Sequence, residues 1–192
     1  LWTALGESVQ VFELNPEIVA AVGDEGVRVA DGRRSIVAHP RILESADGLA
    51  EPLDLIILTT KGTTLDRAVE TFLPALSEDG CFMTVQNGLV ALDLIEKYGP
   101  NRIVAGCVMW GSSMPGPGSY SVTARGPFVV GGLDGPDSPQ ISRCRQALGA
   151  AFPVKVSSDM RDVLWAKLTV TAPLTSLGAI SGLRFGEMLK VR

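Results

Sequence analysis

Histidine occurs once and cysteine three times in this 192-residue chain, and neither lysine nor arginine forms a run. Each scarcity removes a class of chemistry. A single histidine, His39, in a loop before Pro40, supplies neither a histidine-rich zinc site nor a Ser-His-Asp triad, so no metal is expected and His39 reads as a surface residue. Cys81, Cys107 and Cys144 are odd in number, far apart and set in apolar or helical patterns. That suits reduced, buried thiols in a cytoplasmic protein better than a disulfide framework. With 17 basic against 21 acidic residues and a net charge of −4, the chain carries no electrostatic footprint for nucleic acid. No apolar run reaches the roughly 18 to 20 residues that span a bilayer, and no charged segment leads into an apolar stretch with a cleavage site, so no membrane partner is expected.

What is present is an apolar, globular composition. Hydrophobic residues make up 46% and charged residues 20%, and a chain of this length buries roughly 70% of its unfolded surface. Residues 1–6 read as the end of a helix closed by Gly6. A short β-rich run at 9–12 stops at Pro16, which suits the first turn of a helix through Ala21 capped by Asn15. Residues 27–29 and 35–38 flank Asp31-Gly32 and predict a hairpin or two short edge strands. The almost unbroken apolar run at 53–58 predicts a strand buried on both faces, opening into Thr59-Thr60-Lys61.

The alternation continues. Apolar residues at helical spacing (Leu65, Val69, Phe72, Leu73, Leu76) predict a helix over 65–76, Asp79-Gly80 a turn, and 81–85 a buried strand. A helix at 90–98 and a strand at 102–108 follow, so the pattern is that of an α/β, doubly wound parallel sheet of Rossmann type. The Pro- and Gly-rich stretch at 114–138 predicts an antiparallel meander closing that domain, before a helix at 139–151 and a strand at 154–156. Two domains are expected, 1–158 for the sheet and 159–192 for the start of an all-helical unit, with Pro173 as a kink.

Lys167 lies within this last apolar helical pattern. Its ammonium either reaches solvent while the stem covers apolar surface, or serves a site. Ligands of open parallel sheets gather at the carboxyl ends of the strands. Three polar signals follow strands here: Glu13, Thr59-Thr60-Lys61 and Gln86-Asn87-Gly88. With Lys167 they outline a pocket between two domains.

These residues resemble the ketopantoate reductase (2-dehydropantoate 2-reductase) family. The likeness runs through Thr59-Thr60-Lys61, Gln86-Asn87-Gly88-Leu89, the stretch from Pro117-Gly118 to Gly131, and Trp165-Ala166-Lys167-Leu168, and ends at Phe185-Gly186-Glu187. It implies an oxidoreductase of pantothenate biosynthesis. A nicotinamide cofactor would deliver hydride to a small 2-oxo acid, and the likeness makes Lys167 the catalytic acid that protonates the alkoxide. Asn87 would orient substrate or nicotinamide, Lys61 would contact cofactor or substrate, and a homo-oligomer is implied. General chemistry wants such an acid, because negative charge grows on the carbonyl oxygen as hydride arrives.

The sequence also departs from the family pattern. Thr171 and Thr175 stand where two substrate-binding asparagines are common, and a hydroxyl has a shorter reach than an amide; the substrate is then 2-dehydropantoate or another 2-oxo acid. The resemblance implies NADP(H). Glu13 instead suggests NAD(H), since a carboxylate at the end of the second strand suits ribose hydroxyls and repels a 2′-phosphate. The glycine-rich turn and first strand expected just before Leu1, and the rest of the helical domain, are not in the sequence, so the chain is expected to be truncated at both ends and inactive by itself. A related dehydrogenase of another small hydroxy or oxo acid, and a non-catalytic nucleotide-binding or interaction module, are the other readings.

Overall fold

The structure is a computed structural model that describes residues 9–49, 51–133, 135 and 137–190. The helix end expected at 1–6 lies outside them. The chain runs β1 (Gln10–Phe12), α1 (Pro16–Glu25), β2 (Val27–Asp31), β3 (Arg34–Ala38), β4 (Arg41–Leu43), β5 (Leu53–Leu58), α2 (Leu65–Phe72), β6 (Leu76–Thr84), α3 (Val90–Tyr98) and β7 (Ile103–Val108). It continues through β8 (Gly111–Gly116), β9 (Ser119–Ala124), β10 (Phe128–Gly131), α4 (Pro139–Gly149), β11 (Val154–Ser157), α5 (Met160–Ser181) and α6 (Phe185–Met188).

The main sheet has the order β11-β10-β7-β6-β5. Its strands β5, β6 and β7 run parallel, with Leu58 opposite Thr84 and Thr84 opposite Ala105, so their carboxyl ends form one rim. Strand residues alternate between faces, and β6 shows it: Phe82 joins one core, Cys81 and Met83 the other. The first core sets Leu65, Val69 and Phe72 of α2, Ala91, Leu94 and Ile95 of α3, and Met160 and Leu164 of α5 against Leu58, Phe82, Ile103 and Cys107. The second sets Ile141, Cys144 and Leu148 of α4 against Cys81, Met83, Val104 and Val130. Helices therefore cover both faces, the mixed α/β Rossmann-like architecture read from the sequence. Each fully buried large side chain contributes about 1.5–3 kcal/mol by leaving water.

Several local expectations are corrected. The first helix extends four residues past Ala21, to Glu25. Strand β5 is mostly half-buried, with Leu58 its one buried residue, because no neighbour pairs with its outer edge among the described residues. The helix predicted over 65–76 ends at Phe72 and gives way to a 3-10 turn at Leu73–Ala75, since Pro74 lacks the N–H that would continue it. Asp79-Gly80 lies inside β6, in an irregular stretch between the pairs Leu53–Leu76 and Leu55–Cys81. Arg102 holds that stretch by donating to the carbonyls of Ser77 and Gly80 at 3.0 and 2.9 Å, and Arg143 donates to that of Asp79.

The meander does not stay in one sheet. Strands β8 and β9 form a hairpin around Gly118 (φ 69°), and β9 adds in parallel to the β2–β3 hairpin, giving a second sheet of order β3-β2-β9-β8. This covers the edge of β2, which would otherwise leave unpaired backbone groups. Strand β10 instead crosses to the main sheet, antiparallel to β7. Strand β4, too short to announce itself, pairs with β1 in parallel, and Phe12 of β1 meets Phe72 of α2 edge-on at 4.7 Å.

Helix α5 is uninterrupted through Pro173, and Gly182 closes it in the left-handed region at φ 70° before α6, so the helical pattern does not run on unbroken. An 18-residue stretch of this 22-residue helix has a mean hydropathy of 1.3, long and apolar enough by length and composition to cross a membrane, which corrects the expectation that no segment reaches that measure. Lys167 and the threonines interrupt the run in the sequence, while Leu164, Leu168, Val170, Leu174, Leu177 and Ile180 keep its average high. Its buried residues are Met160 and Leu164, at the first turn and a half.

Gly106 in the centre of β7 is required by packing. A Cβ there would lie 2.4 Å from the Thr84 carbonyl oxygen and 2.6 Å from Met83 Cε. Gly106→Ala is expected to destabilise the fold by about 1–3 kcal/mol, the usual cost of overpacking, read as a lower midpoint in urea unfolding. A change under about 0.5 kcal/mol would show that the sheet relaxes around the methyl group.

Candidate active site

The rim at the ends of β5 and β6 is built around Gln86. Its Nε2 donates to the carbonyls of Leu58 at 2.7 Å and Thr60 at 2.9 Å, while its Oε1 accepts from the Val85 N–H at 3.1 Å. One side chain thus ties the loop after β5 to the loop after β6. Beyond it Gly88 turns the chain into α3 at φ 89°, a conformation that suits glycine. On the other side Lys61 precedes a 3-10 turn at Gly62–Thr64, whose Thr64 N–H and hydroxyl both donate to the Lys61 carbonyl at 3.0 Å.

Between these loops lies an open pocket of about 320 Å³ lined by Thr59, Thr60, Lys61, Gly62, Val85, Gln86 and Asn87. Lys61 and Asn87 are both exposed at its wall, so two of the residues singled out from sequence do meet. The Thr84 hydroxyl, one residue before the pocket wall, is buried without a hydrogen-bond partner among the described residues. A second depression, beside Pro100, Ile103 and Ser138, lies at the amino end of β7, away from the rim where parallel sheets gather ligands.

Lys167 reaches the same rim from α5. Its Nζ donates to the Val108 carbonyl at the end of β7, at 2.7 Å, and the residue is half-buried. Neither solvent-seeking nor free, the ammonium is fixed on the strand next to β6. Beside it, burial pushes the Cys107 thiol above its ordinary range, an effect the Lys167 charge partly offsets.

Glu13 sits on the β1 side and does not line the pocket. Its Oε1 accepts the N–H groups of Leu14 and Asn15, both at 2.8 Å, in the turn where Asn15 in turn caps α1 by accepting from Glu17 N–H. The carboxylate is therefore anchored through one oxygen. Tyr120 of β9 lies within its field, and its phenol is pushed up by burial first and by the Glu13 charge second. Thr171 and Thr175 turn their hydroxyls inward on the helix, to the carbonyls of Lys167 at 3.0 Å and Thr171 at 2.8 Å. In this conformation neither hydroxyl's proton points to a ligand.

Against known proteins, the family model described as "Ketopantoate reductase PanE/ApbA" matches residues 3–135. The chain belongs to that family. It is 27% identical over 178 residues to a 2-dehydropantoate 2-reductase of Lactococcus lactis subsp. lactis (strain IL1403), covering 91% of this chain and 57% of that relative. A solved 2-dehydropantoate 2-reductase from Geobacter metallireducens GS-15 superposes with a TM-score of 0.85 at 22% identity, over 97% of this chain and 62% of that one. D-mandelate dehydrogenase, in a ternary structure with NADH and anilino(oxo)acetate, has the same fold at a TM-score of 0.82 and 20% identity, over 97% of this chain and 60% of that one. The chain spans about half the length of the curated relatives it matches, from 45% to 57%.

Gln86 and Thr84 carry parts of this rim that sequence reasoning did not assign. Only Gln86 left a trace, as the neighbour of Asn87. Replacing Gln86 by Ala leaves the carbonyls of Leu58 and Thr60 without this donor, the part-buried bond to Leu58 costing about 1 kcal/mol or more and the exposed one to Thr60 less. The expected result is a lower urea midpoint together with faster proteolysis at residues 59–62. An unchanged rate of cleavage in that loop would mean that the clamp does not hold it.

Proposed function

We propose that this chain carries the catalytic rim of an oxidoreductase that reduces a small 2-oxo acid to the 2-hydroxy acid with a nicotinamide cofactor; 2-dehydropantoate is the substrate that names its curated relatives. The observation that carries the reading is the Lys167 ammonium fixed at the Val108 carbonyl, on the rim shared with the pocket of Lys61 and Asn87. A cation held there faces the place where a carbonyl oxygen becomes negative, and it both stabilises that charge and gives up a proton. On proton transfer the oxygen becomes the hydroxyl of the product, and the neutral amine is reprotonated from solvent. Asn87 has an amide to orient the carboxylate or carboxamide of a ligand, and Lys61 a charge for an anionic group.

The residues present fit a nicotinamide dinucleotide. The exposed amide of Asn87 and ammonium of Lys61 leave polar groups for a ligand at the end of β6, above a Thr84 hydroxyl that is buried without a hydrogen-bond partner among the described residues. Such a cofactor supplies hydride when bound. Glu13, anchored through Oε1 at the end of β1, keeps Oε2 for ribose hydroxyls, and its charge disfavours a 2′-phosphate. That supports NADH over the NADPH implied by the family resemblance. Residues 159–192 are taken as the first part of a helical substrate and dimerisation unit, with Thr171 and Thr175 as substrate-binding positions whose hydroxyls must rotate off the helix to engage a ligand. The cytoplasm suits three free, buried cysteines.

Lys167→Ala, made in the gene product that carries this sequence, is expected to lower turnover of a 2-oxo acid by a factor on the order of 10² to 10⁴, the usual size of general acid catalysis. Cofactor affinity, measured by calorimetry with NADH and NADPH, should stay within a few-fold. A folded Lys167→Ala protein with native turnover would remove Lys167 from the chemistry.

A further inference from the structure

The residue after Val108 is Met109, and it is half-exposed (49%) although the strand residues 103–107 just before are buried. Its backbone is held from the side. Met109 N–H donates to the Pro127 carbonyl at 3.1 Å, and the chain at Gly126 comes so close that a Cβ there would lie 2.1 Å from the Met109 carbonyl oxygen. Its side chain is held too, since the Cys107 thiol meets Met109 Sδ at 3.7 Å. Met109 lies one residue past β7, and this contact puts its sulfur on the side of Cys107. Cys107 faces the core formed with α2, α3 and α5, so the Met109 thioether leaves β7 on the side from which Lys167 comes.

Building on the reading of Lys167 as the acid, we propose that Met109 is the apolar wall that meets the substrate's side chain, so that the 2-oxo acid accepted here carries a branched side chain that is hydrocarbon throughout, with no hydroxyl or charge. A carbonyl oxygen seated on Lys167 lies one residue from this thioether, and a flexible, polarisable side chain suits irregular hydrocarbon surfaces. Polar recognition is weak on the same side. The hydroxyls of Thr171 and Thr175 are engaged by helix carbonyls, leaving a substrate hydroxyl, such as that of 2-dehydropantoate, without a donor from these two positions. Met109 is thus a specificity-determining residue, and Cys107 positions it.

The test compares 4-methyl-2-oxopentanoate, 2-dehydropantoate, 2-oxoglutarate and pyruvate as substrates of the gene product, alongside the resonance of the Met109 methyl in protein labelled with ¹³C-methyl methionine, assigned with Met109→Leu. The native protein should favour 4-methyl-2-oxopentanoate, and that ligand should shift the Met109 methyl saturably. Met109→Ala should change the ratio of kcat/KM between 4-methyl-2-oxopentanoate and pyruvate by about 10- to 100-fold, mostly through KM, the range that lost hydrocarbon contacts give in a binding pocket. Met109→Leu should restore most of that ratio. A native preference for the hydroxylated or charged acid overturns the proposal while leaving the oxidoreductase reading intact. So does a Met109→Ala protein slowed equally on every substrate, or a methyl that stays unmoved during turnover. If no 2-oxo acid is turned over with NADH or NADPH and no methyl responds, both the proposal and the reading beneath it fall.

Discussion

One hydrogen bond joins the two parts of this molecule where chemistry is proposed: the Lys167 ammonium on the Val108 carbonyl, at 2.7 Å. A charged donor on a carbonyl contributes about 1.5–3 kcal/mol, and here it ties the third turn of α5 to the last residue of β7. Helix α5 buries few residues of its own, so the sheet end decides where the ammonium sits. The first turn is seated by Met160 and Leu164 in the core, by the Met160 N–H on the Gly132 carbonyl at 3.2 Å, and by Asp159, whose side chain accepts from Arg161 N–H at 2.8 Å. From that fixed start, seven residues of helix bring Lys167 to the end of the strand that runs beneath it.

The same logic places the rest of the rim. Parallel pairing of β5, β6 and β7 brings Leu58, Thr84 and Ala105 level, so whatever follows those strands emerges on one side. Gln86 then fixes the relative position of two loops that strand pairing alone would leave independent. Such a clamp is what preorganisation requires, since groups held in place before a ligand arrives need no reordering as charge develops. The family relationship agrees with this arrangement at the level of fold, and the activity proposed for the chain rests on the rim itself.

Much of this was legible in the sequence because it depends on local patterns. The apolar runs at 53–58 and 102–108, the helical spacing at 90–98 and the hairpin around Asp31-Gly32 gave the α/β order, and position after a strand marked Lys61, Asn87 and Glu13. Non-local pairing was not legible. Nothing in residues 119–124 says that they pair with β2 rather than with β10, and three residues of β4 carry too little pattern to read. Asp79-Gly80 looks like a turn until Arg102 and Arg143, distant in sequence, are seen to hold it within a strand. Lys167 stood out as a cation in an apolar helix, but its partner is a main-chain carbonyl, which no sequence encodes by residue type. For the same reason Met109 drew no notice; its role follows from where Val108 ends.

The central claim is that Lys167 acts on the carbonyl oxygen of a 2-oxo acid. The most direct measurement is a crystal structure of the gene product with a nicotinamide cofactor and an unreactive 2-oxo acid analogue. The account predicts the analogue's carbonyl oxygen within hydrogen-bond reach of Lys167 Nζ, about 3 Å, with Asn87 in contact with one of the two ligands. An analogue bound away from this rim, with Lys167 still closed on the Val108 carbonyl and no ligand atom near it, would contradict the account.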